Sequence, residues 1–144
     1  MNRTAEARPL LEMALQETPD DDAVRGALGL VLLTEGRHEE AFSHFRSALQ
    51  SGFEHTALLR PFLETARALG RLEEAEPVLA AFADFYPGNM DIAAEHVALL
   101  IALGRIQEAR ERADMIRMLN PDHEKTLALL RQMNEDEKSP RRDL

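Results

Sequence analysis

The chain has no cysteine, no tryptophan and a single tyrosine among its 144 residues. Without thiols, disulfides, thiolate catalysis and cysteine-based zinc sites are all excluded. The lack of cysteine permits the cytosol without fixing the compartment. Cations are also scarce: 17 Lys and Arg against 26 Asp and Glu give a formal net charge of −9. A phosphate-backbone binder needs clustered Lys and Arg, so no nucleic-acid partner is expected. Long apolar runs are missing too. The longest, residues 27–33 and 97–103, are far too short to span a bilayer. Residues 1–9, which include Arg3, Glu6, Arg8 and Pro9, contain no signal-peptide core. Runs of β-branched residues are absent, and alanine, leucine, glutamate and arginine dominate, which is a helical composition. A chain of this length makes about one domain and buries roughly two thirds of its unfolded surface. The expectation is a soluble, cytoplasmic, helical protein with no direct membrane insertion.

What is present is a repeat. Gly70-Arg71-Leu72-Glu73-Glu74-Ala75 has a copy on either side, Gly36-Arg37-His38-Glu39-Glu40-Ala41 and Gly104-Arg105-Ile106-Gln107-Glu108-Ala109. The glycines, and separately the alanines, stand 34 residues apart, as do Pro87 and Pro121. A fixed period of this size marks stacked helix hairpins, each unable to bury its apolar face alone.

Apolar spacing then places the helices. Helix 1 covers about 4–17, with Ala7, Leu11 and Ala14 one period before Ala41, Phe45 and Ala48, so it reads as the second helix of a hairpin. Thr18-Pro19-Asp20 breaks it, and Asp20, Asp21 and Asp22 open helix 2, which runs to about Glu35. Helices follow at about 38–50, 56–69, 72–85, 90–103, 106–119 and 122–134. Gly52 is expected to cap helix 3, Asn89 to cap helix 6, and Pro61 to kink helix 4 or delay its start to Leu58. The last helix sets Leu127, Leu130 and Met133 on one stripe, as a terminal cap requires. Residues 135–144 have little to bury and are expected to form a disordered tail.

The pattern resembles the tetratricopeptide-repeat family. First helices supply Leu28-Gly29-Leu32, Phe62-Leu63-Ala66 and His96-Val97-Leu100; second helices supply Ala41-Phe45-Ala48, Ala75-Leu79-Phe82 and Ala109-Ala113-Ile116. The usual early Trp and later Tyr of the first helix are absent, and His96 stands at a core leucine position. The resemblance covers residues 4–134. It implies an all-α, right-handed solenoid of antiparallel helix hairpins, one domain over 1–134. Its parts are a half repeat at 4–19, repeats at 22–55, 56–89 and 90–121, and a capping helix at 122–134.

No catalytic constellation emerges. His38-Glu39-Glu40-Ala41-Phe42 begins like a zinc-protease H-E-x-x-H helix but has Phe42 where the second histidine belongs. His44, His55 and His123 are isolated, and His96 reads as a packed core residue. The acid pairs Glu39-Glu40 and Glu73-Glu74 suit helix starts, and no glycine loop cradles a phosphate. No cofactor and no metal are expected, and the chain reads as no enzyme. What remains is the inner wall. The resemblance assigns groove-facing positions to Ala23, Gly26, Leu30 and Leu33, to Ala57, Arg60, Glu64 and Arg67, and to Asp91, Ala94, Ala98 and Ile101. Family members that grip a terminal carboxylate use a clamp whose matching positions here are Gly26, Leu30, Pro61, Asp91 and Glu95, which cannot hold one. The implied role is a scaffold that binds a protein or peptide segment with apolar anchors and an acidic group. The alternative is self-assembly into a homo-oligomer through helix 1, whose Leu10, Leu11 and Leu15 side has no hairpin partner.

Overall fold

A computed structural model describes residues 3–138. Among the described residues there are eight α-helices, one 3-10 turn and no strand. They are α1 (Arg3–Glu17), α2 (Asp22–Thr34), α3 (His38–Gln50), the 3-10 turn Thr56–Leu58, α4 (Leu59–Leu69), α5 (Leu72–Phe85), α6 (Met90–Ala102), α7 (Ile106–Leu119) and α8 (Glu124–Lys138). The chain divides inside α5 into two compact units, Met1–Val78 and Leu79–Leu144.

The three repeated corners close in one way. Gly36, Gly70 and Gly104 have φ of 76°, 68° and 75°, a left-handed conformation that a Cβ disfavours. Each lets the next arginine reach back across the helix end. The N–H groups of Arg37, Arg71 and Arg105 donate to the carbonyls of Leu32, Ala66 and Leu100 at 2.9, 2.8 and 2.9 Å. The glycine N–H groups donate to Leu33, Arg67 and Ile101. This paired closure satisfies two carbonyls that a helix end would otherwise leave open.

At helix starts, the Asp21 carboxylate accepts from the N–H groups of Ala23 and Val24 at 3.1 and 3.2 Å, and Asn89 accepts from Ile92 at 3.1 Å. Pro61 sits in the first turn of α4, after the 3-10 turn has carried the chain in, so its missing N–H costs no interior bond. Two expectations need correction. Gly52 is no C-cap: α3 ends at Gln50, followed by a right-handed Ser51, and Gly52 has no positive φ. The Ser51 hydroxyl closes that end, bonding the Ala48 carbonyl at 3.0 Å and the Asp22 carboxylate. The final helix also runs on to Lys138 rather than stopping at 134. Arg110 holds the extension, donating to Asn134 at 3.1 Å and pairing with Glu137 at 2.9 Å. The rest of the expected tail, 139–144, lies outside the described residues.

In the first unit α2 lies against α1 and α3, and α3 against α4. Phe42 and Phe62 stack with ring centroids 5.1 Å apart, and both are fully buried with Phe45. Burial of each such ring contributes about 2–3 kcal/mol. Gly29 makes the approach of α2 to α3 possible, since a Cβ there would stand 2.7 Å from the Phe45 ring. In the second unit α6 lies against α7 and α8. Its core joins Ala94, Val97, Leu100, Ala109, Ala113 and Ile116 to Met133 of α8.

Three glycine-to-alanine changes separate these causes. Gly29→Ala gains roughly 1 kcal/mol of helix propensity but forces a stiff ring aside, for a net loss of about 1–2 kcal/mol. Gly70→Ala, which meets no neighbour within 4 Å, loses about 1–2 kcal/mol through its backbone alone. Gly88→Ala, open and without positive φ, stays within about 0.5 kcal/mol of wild type. Chemical denaturation reads all three; a Gly29→Ala chain as stable as wild type contradicts the close helix contact.

Candidate functional site

Because successive corners close alike, residues 34 apart take the same place on successive helices. In the first unit Leu30 and Leu33 hold on α2 the positions that Glu64 and Arg67 hold on α4, with Arg60 one turn earlier, and α2 lies against α4. Leu30 is 43% exposed, Leu33 is half-buried, and Arg60, Glu64 and Arg67 are exposed. On a helix, positions 60, 64 and 67 share one face. None of the three side chains forms an ion pair or hydrogen bond among the described residues, whereas Arg37, Arg46, Arg71, Arg110 and Arg112 each hold a carboxylate. The expected Gly26 does not share this openness: it is buried, with the Leu58 side chain where a Cβ would be. Together α2 and α4 present an apolar anchor and two guanidinium groups that form no ion pair, with the Glu64 carboxylate about one turn from each on the same face.

The corresponding row of the second unit is largely covered. Ala94 is fully buried in the core, so its methyl is out of a partner's reach. Ile101 packs against the same core, and Ala98 is half-buried. Asp91 is exposed, but its Oδ1 lies 3.2 Å from His123 Nε2. Glu95 pairs with Lys125. The cause is α8, which lies on α6 and brings Lys125 and His123 with it. Sequence spacing misses these pairs because their members stand 30 and 32 residues apart.

His123 Nδ1 is also 2.9 Å from the Thr126 hydroxyl. The order carboxylate, imidazole, hydroxyl has the form of a nucleophile triad. Thr126 is fully buried, however, and its N–H leans on the same Nδ1 at 3.4 Å. The imidazole caps α8, and no substrate carbonyl can approach the hydroxyl. His96, at 4% exposure, is a core residue as its sequence position implies. His44 borders a cleft of about 460 Å³ with Glu12 and Glu40, and burial, aided by the Arg25 charge, lowers its imidazole from the ordinary value. A second open cleft of about 650 Å³ lies along Phe85–Asp91 and His123. Among the described residues no cluster of His, Asp and Glu is arranged to hold a metal ion, and no helix is long and apolar enough to cross a membrane.

Sequence reasoning also passes over Phe42 and Arg71. The Arg71 guanidinium lies 4.1 Å from the Phe42 ring centroid and bonds Glu39 at 2.9 Å and Glu74 at 2.5 and 2.9 Å. Arg46 stands 5.0 Å from that ring and 3.2 Å from Glu74. Phe42 is read from sequence only as the residue that spoils a zinc motif, although it opens the stripe Phe42-Phe45-Leu49 of α3. The pairing signal is the repeated Gly-Arg-x-x-Glu: Arg37–Glu40, Arg71–Glu74 and Arg105–Glu108 meet at 3.5, 2.5 and 2.5 Å. The Arg71 hydrogen bond holds the Glu74 carboxyl down at about 2, with Arg46 adding to it. The Arg105 hydrogen bond lowers Glu108 in the same sense.

Helix hairpins closed by identical left-handed corners at a 34-residue period define a helical-repeat solenoid, with no sheet among the described residues. Family models described as tetratricopeptide repeat match residues 1–52 and 66–133. The chain belongs to the tetratricopeptide-repeat family. Among solved structures it is similar to a tetratricopeptide repeat protein from Parabacteroides merdae, with a TM-score of 0.72 and 21% identity over 92% of this chain. That match covers 54% of the other protein, so the chain spans about half its length. YrrB, described as a TPR protein with an unusual peptide-binding site, aligns with a TM-score of 0.67 and 18% identity over 93% of this chain and 78% of its own. The first TPR domain of Spaghetti (RPAP3), bound to the HSP90 peptide SRMEEVD, aligns at 0.62 and 16% over 82% of this chain and 94% of its own. At these identities the likeness establishes the fold. None of the curated proteins matches the chain.

The Arg71–Glu74 pair has a pH signature. Glu74 releases its proton at about 2 when folded against an ordinary 4.5, so its contribution is complete above about pH 4.5 and fades as the pH falls toward 2. Glu74→Gln therefore flattens the decline of stability across that window, measured by denaturant titration at several pH values. A decline as steep as that of wild type contradicts the pairing.

Proposed function

We propose that this protein is a non-catalytic scaffold that grips a protein segment on the open row of α2 and α4. The observation that carries this reading is the set of unpaired cations beside an exposed leucine. In a chain of net charge −9, Arg60 and Arg67 form no ion pair among the described residues, while Leu30 on the adjoining α2 stands 43% exposed. Desolvating a leucine and pairing two arginines both favour a segment that offers an apolar side chain and an acidic group.

Neighbours of the same fold support a binding role, since one is described by its peptide-binding site and another is bound to a peptide. The terminal-carboxylate clamp is not the mode used here. Gly26 is buried, and at Asp91 and Glu95 the chain carries acids that His123 and Lys125 already engage. Of the twelve groove positions that the resemblance implies, we retain Leu30, Leu33, Arg60, Glu64 and Arg67, all on the first unit. The Asp91–His123–Thr126 chain ends in a buried hydroxyl, which accords with a role outside catalysis. A cytoplasmic setting suits a cysteine-free acidic protein whose described helices are all too short to cross a membrane.

Affinity purification with quantitative mass spectrometry tests the reading. Leu30→Glu and Arg67→Glu are expected to lose captured partners by about tenfold or more, since central contacts carry over 1.4 kcal/mol each. Arg131→Glu, the same charge change at an exposed α8 position, retains them. Equal capture by all three variants contradicts the proposal.

A further inference from the structure

We propose that the segment gripped by the α2/α4 row is α1 of a second copy of this chain, so that the protein assembles head to tail. This rests on the row being a docking face and names its occupant.

The donor surface is the outer stripe of α1. Leu10 and Met13 are 66% and 59% exposed, and Glu6 and Glu17 flank them one turn before and one turn after. Neither glutamate has an ion-pair partner among the described residues. The stripe is therefore an apolar centre with an unmatched carboxylate at each end. At 1.5 Å per residue the two acids lie about 16 Å apart along the helix.

The receiving surface is its complement. Leu30 supplies the apolar centre, and Arg60 and Arg67 stand seven residues apart, about 10 Å along α4, also unmatched. Long arginine side chains cover the difference in span. Two unpaired carboxylates around an apolar pair meet a row that holds a leucine, two unpaired guanidinium groups and the single carboxylate of Glu64, and so keeps a net positive charge. This matching favours self-recognition despite an overall charge that opposes it.

A chain cannot satisfy its own row. Arg8 on α1 binds Glu35 at the end of α2 at 3.0 Å, which fixes α1 on one side of that helix. On that side the cleft shared by α1, α2 and α3 is lined by Leu28 and Leu32. Leu30 lies 200° around the helix from Leu28, on the opposite side. Because donor and receiver are different surfaces, the contact is heterologous and repeats from copy to copy.

Sedimentation velocity on the full chain tests this. Wild type is expected to grow in mass with concentration and to shrink toward monomer as salt rises. A donor-blocked chain (Leu10→Glu with Met13→Glu) and a receiver-blocked chain (Arg60→Glu with Arg67→Glu) each remain monomeric, with at least tenfold weaker self-association. Mixed in equal amounts they form a one-to-one pair, because the first keeps its receiver and the second its donor. Unchanged circular dichroism shows that both variants fold. A monomeric wild type, a mixture that fails to pair, or a closed dimer indifferent to the receiver changes overturns the proposal. If wild type is monomeric while Arg67→Glu still loses its captured partners, the scaffold reading stands and only self-recognition falls.

Discussion

A glycine held at positive φ at the end of each first helix is the constraint from which the rest of this structure follows. With φ near 70° the following arginine N–H can turn back to a carbonyl five residues earlier, and the second helix leaves in a fixed direction. Three copies of one closure give residues 34 apart equivalent positions on their own helices. Within the first unit, where α2 lies against α4, a row of side chains across the two helices follows from sequence period. A docking face can be composed one residue per helix turn, without any loop being devoted to it.

The corner also gathers polar contacts. Each carries an arginine three residues before a glutamate, so the pair closes across the first turn of the second helix. At the middle corner Arg71 additionally covers the Phe42 ring, joining the polar rim of the first unit to its aromatic interior. Guanidinium over an aromatic face tolerates partial exposure better than an apolar cap would, because its edge remains hydrated while its plane is stacked. A sequence with no tryptophan and one tyrosine fills its first-unit core with phenylalanine, and a glycine in α2 admits the Phe45 ring.

Much of this was legible from residues alone, and for a physical reason. Corners, caps and apolar stripes are local, set by φ preferences and by side chains within one or two turns. Gly36, Gly70 and Gly104, Asp21, Asn89 and the Ala41-Phe45-Ala48 stripe all express themselves at that range. What the sequence could not show lies between elements. His123 on Asp91, Lys125 on Glu95 and Arg110 on Glu137 are each contacts across about 27 to 32 positions. They explain why α8 runs longer than its apolar stripe requires and why Ala94 is withdrawn from the surface. At Gly52 the difference is local: glycine after a helix suggests a left-handed cap, but the Ser51 hydroxyl closes that end instead. For the candidate face, helical period sets Arg60, Glu64 and Arg67 on one side of α4; the lack of an ion pair at Arg60 and Arg67 among the described residues depends on what other elements bring near, which lies beyond local spacing.

Equivalence of the three corners is the claim on which both the register of helix faces and the choice of site depend. Backbone amide exchange and three-bond couplings measured by NMR address it directly. The account predicts positive φ at Gly36, Gly70 and Gly104, and comparably slow exchange of the Arg37, Arg71 and Arg105 amides. An extended glycine at any one corner, or one arginine amide exchanging as fast as an open loop, would contradict it.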